Sequence, residues 1–375
     1  MCGIVGFCDF SKKSDFQTLG SMLQVIAHRG PDDEGFFFKE GATANLGLGH
    51  KRLSILDLSP LGHQPYQYNK LTLIYNGEVY NFAEIRNKLI DLGYTFKSNS
   101  DTEVIIKAYE AWGISCVDQF IGMFAFALLD EEKQRLFLVR DRAGVKPLYY
   151  YWNHNILLFG SELKSFHENP LFSKELDYDS LALYLQYSYI PAPHTIFKKT
   201  YKLKPGCFLE VNLTTKELKN HTYWSVLDYY NKPKLSIDYK DAMNELKKIL
   251  KSAFEYRMVS DVPVGVFLSG GYDSSVIAAI LQSGRMQKLK TFTIGFEEQK
   301  YNEAPFAKKI ADHLGTDHTE YYCTHKEAFD IIPKLPEIYD EPFGDNSIIP
   351  TTLVSQLAIK HVKVALSGDG GDEIF

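Results

Sequence analysis

A cysteine at position 2 places a thiol directly behind the initiator methionine. Methionine aminopeptidases accept small residues there, so loss of Met1 leaves a thiol and an α-amine on one residue. An α-amine titrates near about 7.7 to 8.0 and a free thiol near about 8.5, so Cys2 would carry both a nucleophile and its base. Asn76-Gly77-Glu78 follows an apolar stretch, Leu71 to Tyr75. Asn-Gly is a common hairpin turn, and it is also a pair whose side-chain amide and N–H can stabilise an oxyanion, with Glu78 free to hold an ammonium. Arg52 sits in the segment His50 to Ile55, where it is either a surface arginine or a bidentate partner for a carboxylate. Asp101, in Ser100-Asp101-Thr102-Glu103, occupies a position suited to a helix N-cap and equally suited to binding an α-ammonium.

A second set lies near the C-terminal end. Ser269-Gly270-Gly271-Tyr272-Asp273-Ser274-Ser275 joins an apolar run to a helical pattern. Its N–H groups, the following helix N-terminus and the Ser269 and Ser274 hydroxyls form a cradle for phosphate oxygens. The loop has neither the lysine of a Walker P-loop nor the spacing of a dinucleotide fingerprint, and a plain Gly-Gly turn capped by Asp273 is the alternative reading. Asp273, Asp369 and Asp372 offer carboxylates for Mg²⁺ on phosphate. Both acidic loops follow strands, which places them at one edge of a sheet, where doubly wound folds bind ligands.

The elements that must position these residues fall into two rhythms. Up to about residue 160 short strand patterns dominate: 71–75, 123–129, 135–139, 148–151 and 156–159, separated by turns such as Asp130-Glu131-Glu132. Helical stretches at Asn81–Leu92 and Asp101–Trp112 interrupt them, the first with Phe82, Ile85, Leu89 and Leu92 on one face. This half reads as α+β with antiparallel sheets. From about residue 238 the order is helix (238–257), apolar run (262–268), helix (273–282), apolar run (291–296), helix (303–314), further helices to Ile359 and a last strand (362–366), the signature of a parallel sheet with crossover helices. Residues 211–236 read as a linker between domains 2–210 and 237–375. The terminal Ser367 to Phe375 reads as a loop and a helix start that does not continue, so the second domain is expected to be incomplete.

Length and composition limit the alternatives. At 375 residues the chain has room for two or three domains, and its 45% hydrophobic and 23% charged residues are those of a folded protein. A net charge of -6 argues against a nucleic-acid partner. Five cysteines at irregular spacing, Cys2, Cys8, Cys116, Cys207 and Cys323, imply neither a disulfide framework nor a zinc site. No apolar run reaches the length of a membrane span, and the chain reads as cytoplasmic.

Taken together the chain resembles the glutamine-hydrolysing asparagine synthetases. The resemblance rests on Met1-Cys2-Gly3-Ile4-Val5-Gly6, His28-Arg29-Gly30-Pro31-Asp32, Arg52-Leu53-Ser54-Ile55, Asn76-Gly77-Glu78, Ser100-Asp101-Thr102-Glu103, Gly122-Met123-Phe124-Ala125-Phe126, Arg140-Asp141-Arg142, Lys146-Pro147-Leu148 and the two loops Ser269 to Ser275 and Ser367 to Glu373. It implies an N-terminal-nucleophile hydrolase domain, α+β with two stacked antiparallel sheets between helices, that acts as a class II glutamine amidotransferase. An α/β parallel-sheet ATP-pyrophosphatase domain would follow. The resemblance further implies that Cys2 attacks the glutamine amide, that Asn76 and Gly77 stabilise the oxyanion, and that Arg52, Leu53, Ser54, Ile55, Asn76, Gly77, Glu78 and Asp101 bind glutamine. ATP would bind at Leu268, Ser269, Gly270, Gly271, Asp273 and Ser274, with Ile294 near the adenine and Ser367 and Gly368 closing the site.

In the same resemblance Asp273 and Asp372 would hold Mg²⁺, and Glu341 would deprotonate the ammonia that attacks β-aspartyl-AMP. The family continues beyond residue 372 and supplies a catalytic lysine there. Relatives with the same domains amidate sugar acids in surface-polysaccharide pathways, and a chain with glutaminase activity alone is the other alternative. Glutamine, aspartate and ATP are the expected partners, with a homodimer left open.

Overall fold

The computed structural model describes residues 1–372, which form two compact units: 1–233 with 340–344, and 234–339 with 345 onward. In the first unit two six-stranded antiparallel sheets are built from β1 (Gly3–Asp9), β2 (Asp33–Glu40), β3 (Asn45–Arg52), β4 (Tyr66–Tyr68), β5 (Leu71–Val79), β6 (Gly122–Asp130), β7 (Arg135–Arg140), β8 (Tyr149–Trp152), β9 (Ile156–Gly160), β10 (Thr200–Lys202), β11 (Cys207–Asn212) and β12 (Leu218–Thr222). Their orders are β10-β8-β9-β1-β3-β2 and β12-β11-β7-β6-β5-β4.

The side-chain period of two explains the layering. Ile4 and Cys8 of β1 face Ala125, Ala127, Leu136, Leu138 and Leu209 of the other sheet, forming the core between sheets. Val5 and Phe7 point the opposite way and pack on Leu19, Met22 and Leu23 of the helix Phe16–Gln24. Phe124 and Phe126, on the far face of β6, meet Ile85, Leu89, Val104 and Ile105 of the helices Phe82–Asp91 and Asp101–Trp112. The result is helix, sheet, sheet, helix, the α+β arrangement expected. Glycines let the sheets close up. A Cβ on Gly6 would lie 2.3 Å from the Phe159 ring, and one on Gly77, whose φ is +149°, would lie 2.1 Å from the Met123 carbonyl.

Two local details differ from the sequence reading. The N-cap of the helix Asp101–Trp112 is Ser100, which accepts the Thr102 N–H at 3.0 Å; Asp101 is the first helical residue and its carboxylate is drawn elsewhere. The hairpin of β11 and β12 falls within or beside the stretch 211–236 read as a linker, because β11 pairs with β7 through Phe208 to Asn212 and completes the second sheet.

The second unit holds a four-stranded parallel sheet, β13 (Val264–Phe267), β14 (Lys290–Phe296), β15 (Asp317–Cys323) and β16 (Val364–Leu366), in the order β15-β14-β13-β16. Val266 and Leu268 pack on Ile277, Ala278 and Leu281 of the helix Tyr272–Gln282 and on Ala307 and Ala311 of the helix Ala304–Leu314. Phe292 packs with Val354 and Ala358 in another cluster. The chain builds outward from β13 through β14 to β15, then returns to add β16 on the other side of β13. That reversal of strand order lies between β13 and β16, the two strands whose following loops carry the acidic motifs. β15 lies among residues read only as helices.

Candidate active site

The last residues of β3, the segment 53–64, β5 and the start of the helix Asp101–Trp112 converge on Cys2. The Leu53 N–H donates to Cys2 Sγ at 3.4 Å, and the thiol lies 3.6 Å from the Leu53 carbonyl. Around it a narrow cavity is lined by Cys2, Arg52, Leu53, Ile55, Gln64, Tyr75, Gly77, Glu78 and Asp101, together with Leu56, Gly62, Ser100 and Thr102. Every glutamine-binding residue inferred from the sequence except Ser54 and Asn76 is in that lining. Ser54 is turned to Asp32, whose carboxylate accepts its N–H at 2.8 Å. Asn76 is 1% exposed, and among the described residues neither its amide nitrogen nor its amide oxygen has a hydrogen-bond partner.

The polar groups are held in place by specific contacts. Arg52 is buried and donates to the Ser59 carbonyl at 3.1 Å and the Leu56 carbonyl at 3.3 Å, with a further bond to the Asp57 carbonyl. Asp101 accepts the Val79 N–H at 2.9 Å and the Tyr75 hydroxyl at 2.8 Å. Burial lifts its pKa to about 6, although those donors oppose the shift. Tyr75 is in turn fixed by Gln64, whose Oε1 accepts its N–H at 2.7 Å. Burial raises the Cys2 thiol pKa, while the Leu53 N–H works in the other direction. Sequence reasoning did not single out Tyr75 or Gln64. Both act through neighbours far apart in sequence, and no local pattern marks them.

Behind the cysteine runs a chain of ion pairs. Arg29 donates through Nε to the Cys2 carbonyl at 3.0 Å and through Nη1 to Glu162 at 2.7 Å. Glu162 also meets His28 at 3.0 Å and Lys164 at 2.8 Å, and Lys164 reaches Asp340 at 3.4 Å. Burial would raise the Glu162 pKa, but the His28, Lys164 and Arg29 contacts outweigh it and bring it down to about 2. A depressed carboxylate stabilises the fold above its ordinary pKa and loses that contribution as pH falls toward the folded value. Glu162→Gln is therefore expected to cost about 3 kcal/mol at pH 7. Urea unfolding at pH 7 and pH 3 should show the gap between variant and wild type shrinking at the lower pH; an equal gap at both would sink the assignment.

In the second unit the loop after β13 is tied to itself. The Ser269 N–H donates to Ser274 Oγ at 3.2 Å, the two hydroxyls are 3.0 Å apart, and the Gly271 N–H donates to Ser269 Oγ at 3.2 Å. Gly270, at φ +90°, brings the backbone against the helix Ala304–Leu314, where a Cβ would lie 3.0 Å from the Ala307 nitrogen. The loop after β16 meets it: a Cβ on Gly368 would lie 3.1 Å from the Ser274 nitrogen, and one on Gly371 would lie 2.5 Å from Asp273 Oδ2. Leu268, Ser269, Asp273, Ser274 and Gly368 thus come together at one sheet edge. Glu373 of the second loop lies outside the described residues.

Ile294, on β14, is half-buried against the cluster of Phe292, Val354, Ala358 and Val362. Glu341 belongs to the first unit, where it accepts the Ile196 N–H at 2.8 Å and pairs with Lys202 at 2.7 Å.

Residues 1–224 match the glutamine amidotransferase domain family and residues 245–375 match the asparagine synthase family. A provisionally named glutamine-hydrolysing asparagine synthetase 2 of Methanocaldococcus jannaschii is 42% identical over all of this chain and 75% of its own length. The chain belongs to the glutamine-hydrolysing asparagine synthetase family. Asparagine synthetase 1 of Bacillus subtilis is 36% identical over all of this chain and 58% of its own length. The chain therefore spans between roughly half and three quarters of these relatives. A glutamine phosphoribosylpyrophosphate amidotransferase structure from B. subtilis aligns with 87% of the chain and 91% of its own, at 14% identity and a TM-score of 0.47. Among the described residues no helix is long and apolar enough to cross a membrane.

Proposed function

We propose that the first unit hydrolyses glutamine at Cys2 and that the ammonia is used to amidate the β-carboxylate of aspartate, activated by ATP in the second unit. What supports this reading is the convergence of the Cys2 thiol, Arg52, Gly77, Glu78 and Asp101 on one cavity, with the Asn76 amide buried next to Gly77 on β5 and, among the described residues, without a partner. The Cys2 α-amine takes the thiol proton, and sulfur adds to the side-chain carbonyl of glutamine. Asn76 and Gly77 stabilise the oxyanion, ammonia leaves with the proton returned from the amine, and water releases glutamate from the thioester. Arg52 receives the α-carboxylate, while Glu78 and Asp101 receive the α-ammonium.

In the second unit the aspartate carboxylate attacks the α-phosphate of ATP, giving β-aspartyl-AMP and pyrophosphate, and ammonia then displaces AMP. The Ser269 to Ser274 loop cradles phosphate and Ser367-Gly368 flanks it. Asp273 and Asp372 would hold a magnesium ion: Gly371, next to Asp372, comes so close to Asp273 that a Cβ there would lie 2.5 Å from its Oδ2, and magnesium pairs a few carboxylates with phosphate oxygens. When bound, the ion supplies positive charge to those oxygens.

One incubation with glutamine, aspartate, ATP and Mg²⁺, assayed for glutamate and pyrophosphate, tests both halves. Release of both supports the full reaction, glutamate alone restricts the function to glutaminase, and neither rejects the proposal. Asp101 adds a pH signature. Its carboxylate must be ionised to hold an ammonium, so the KM for glutamine should rise about tenfold per unit below pH 6, an effect Asp101→Asn should remove. A KM flat from pH 5 to 7 in the wild type would assign the ammonium to another group.

A further inference from the structure

The open edge of β5 is closed by side chains. β4 pairs with β5 only from Leu71 to Leu73, whereas β6 follows β5 on to Val79. Beyond Leu73 the backbone groups of β5 that face away from β6 need partners from elsewhere. The Tyr75 N–H has Gln64 Oε1 at 2.7 Å, the Val79 N–H has Asp101 at 2.9 Å, and the Tyr75 carbonyl accepts from His50 Nε2 at 3.0 Å. Gly77 lies midway between these two residues, and strand alternation brings its N–H to the same edge, where Gly77 lines the Cys2 cavity. His50 sits on β3, whose Leu46 and Leu48 face the core between the sheets, and it is fully buried. A carbonyl can only accept, so Nε2 carries the proton; Nδ1 is sealed and, among the described residues, has no partner.

We propose that His50 is a positioning residue for the oxyanion site: its neutral imidazole holds the peptide between Tyr75 and Asn76, and with it the aim of the Asn76 amide and the Gly77 N–H at the substrate carbonyl. This rests on the glutaminase reading above. His50 is outside the cavity lining, so it acts through the strand and touches no reacting atom. The lever is short. The carbonyl that His50 holds shares one rigid plane with the Asn76 N–H, so a tilt of that plane carries the Asn76 Cα with it and redirects both donors. Gln64 holds Tyr75 from the other side of the residue through its N–H, and Asp101 holds its hydroxyl at 2.8 Å, which leaves His50 as the tie on the peptide next to Asn76. Burial brings the imidazole pKa down to about 3 against the pull of the Tyr75 carbonyl, with Arg52 and His63 acting in the same direction as burial and Asp33 opposing. The ring therefore stays neutral wherever the Cys2 chemistry runs, and it offers the strand a fixed donor rather than a titrating one.

The test compares the full chain as wild type, His50→Leu and His50→Gln. Leucine keeps much of the ring's volume without a donor, and glutamine carries an N–H at about the reach of Nε2. Three quantities are followed: kcat and KM for glutamate release against pH, the rate of Cys2 alkylation by iodoacetamide, and amide hydrogen exchange over residues 74–80. Alkylation displaces iodide without building an oxyanion, and the other four cysteines are buried, so it reports the Cys2 thiol alone. His50→Leu should lower kcat about 10- to 100-fold, with KM and alkylation within about twofold of wild type and the pH limbs of kcat unmoved; His50→Gln should bring kcat back to within about threefold. Exchange over 74–80 should quicken in the leucine variant and slow again in the glutamine one. A rise in KM that matches the loss in kcat, alkylation lost together with kcat, a displaced pH limb, or a glutamine variant as slow as the leucine one overturns the proposal. Where His50→Leu does not fold, His50→Asn, whose amide falls one methylene short of Tyr75, takes its place. If the wild type releases no glutamate, the glutaminase reading fails by itself, and exchange over 74–80 decides: quickening restored by glutamine upholds His50 as the tie, and equal exchange in all forms rejects it.

Discussion

Cys2→Ala is expected to abolish glutamate release, a loss of at least about 10⁴-fold, while leaving the fold and the N-terminal amine in place. The magnitude follows from the role: a nucleophile cannot be replaced by tighter binding of the same substrate, and losing one typically costs several orders of magnitude. The variant is informative because of what it keeps. Alanine is small enough for Met1 still to be removed, so the base remains while the sulfur goes. The Leu53 N–H that met Cys2 Sγ at 3.4 Å loses only a weak acceptor at a partly exposed position. The thermal midpoint should therefore stay within a few degrees of wild type. Glutamate release above about 1% of the wild-type rate would place the nucleophile elsewhere; this threshold sits far above the residual rate that binding and oxyanion stabilisation alone can sustain.

The readable parts of the fold are those where local periodicity and burial agree. The helix Phe82–Asp91 buries Ile85 and Leu89 on one face, and the strands β5, β6, β7 and β9 are apolar runs buried on both faces and bounded by polar turns, so their patterns show. β1 and β3 are buried on both faces and interrupted by glycines that lie against Phe159 and Phe7, so neither shows alternation. β15, Asp-His-Thr-Glu-Tyr-Tyr-Cys, is an edge strand with mostly half-buried residues, and its polar composition hides it among helices. At the site the residue types were legible while their restraints were not. Local capping logic fits Asp101 and Ser100 equally; the choice falls on Ser100 because Val79 and Tyr75, 22 and 26 residues away in sequence, claim the Asp101 carboxylate. Glu341 was readable as a carboxylate of interest, but its bond to the Ile196 N–H spans 145 residues, which no spacing rule reaches.

Asn76→Ala should separate activity from stability. Asn76 lies in β5, paired with Ala125 of β6, with its side-chain amide sealed from solvent and, among the described residues, without a partner for either atom. A buried amide left unsatisfied costs about 1 to 3 kcal/mol, which a structural role would not explain. A group that donates to the oxyanion only during the reaction accounts for that cost, since its partner forms in the transition state. Replacing the amide by a methyl group removes the desolvation cost but leaves a small cavity, and the two effects oppose each other. The expected result is unfolding stability within about 1 kcal/mol of wild type together with a kcat for glutamate release lower by about 10² to 10³, the usual range for one lost oxyanion donor. The KM for glutamine should change far less, because the substrate carbonyl demands less of the donor than the oxyanion does. Urea unfolding and steady-state kinetics on the same preparation read both quantities. Loss of stability by several kcal/mol, or a rise in KM with kcat preserved, would make Asn76 a structural or ground-state binding residue and move the oxyanion site away from β5.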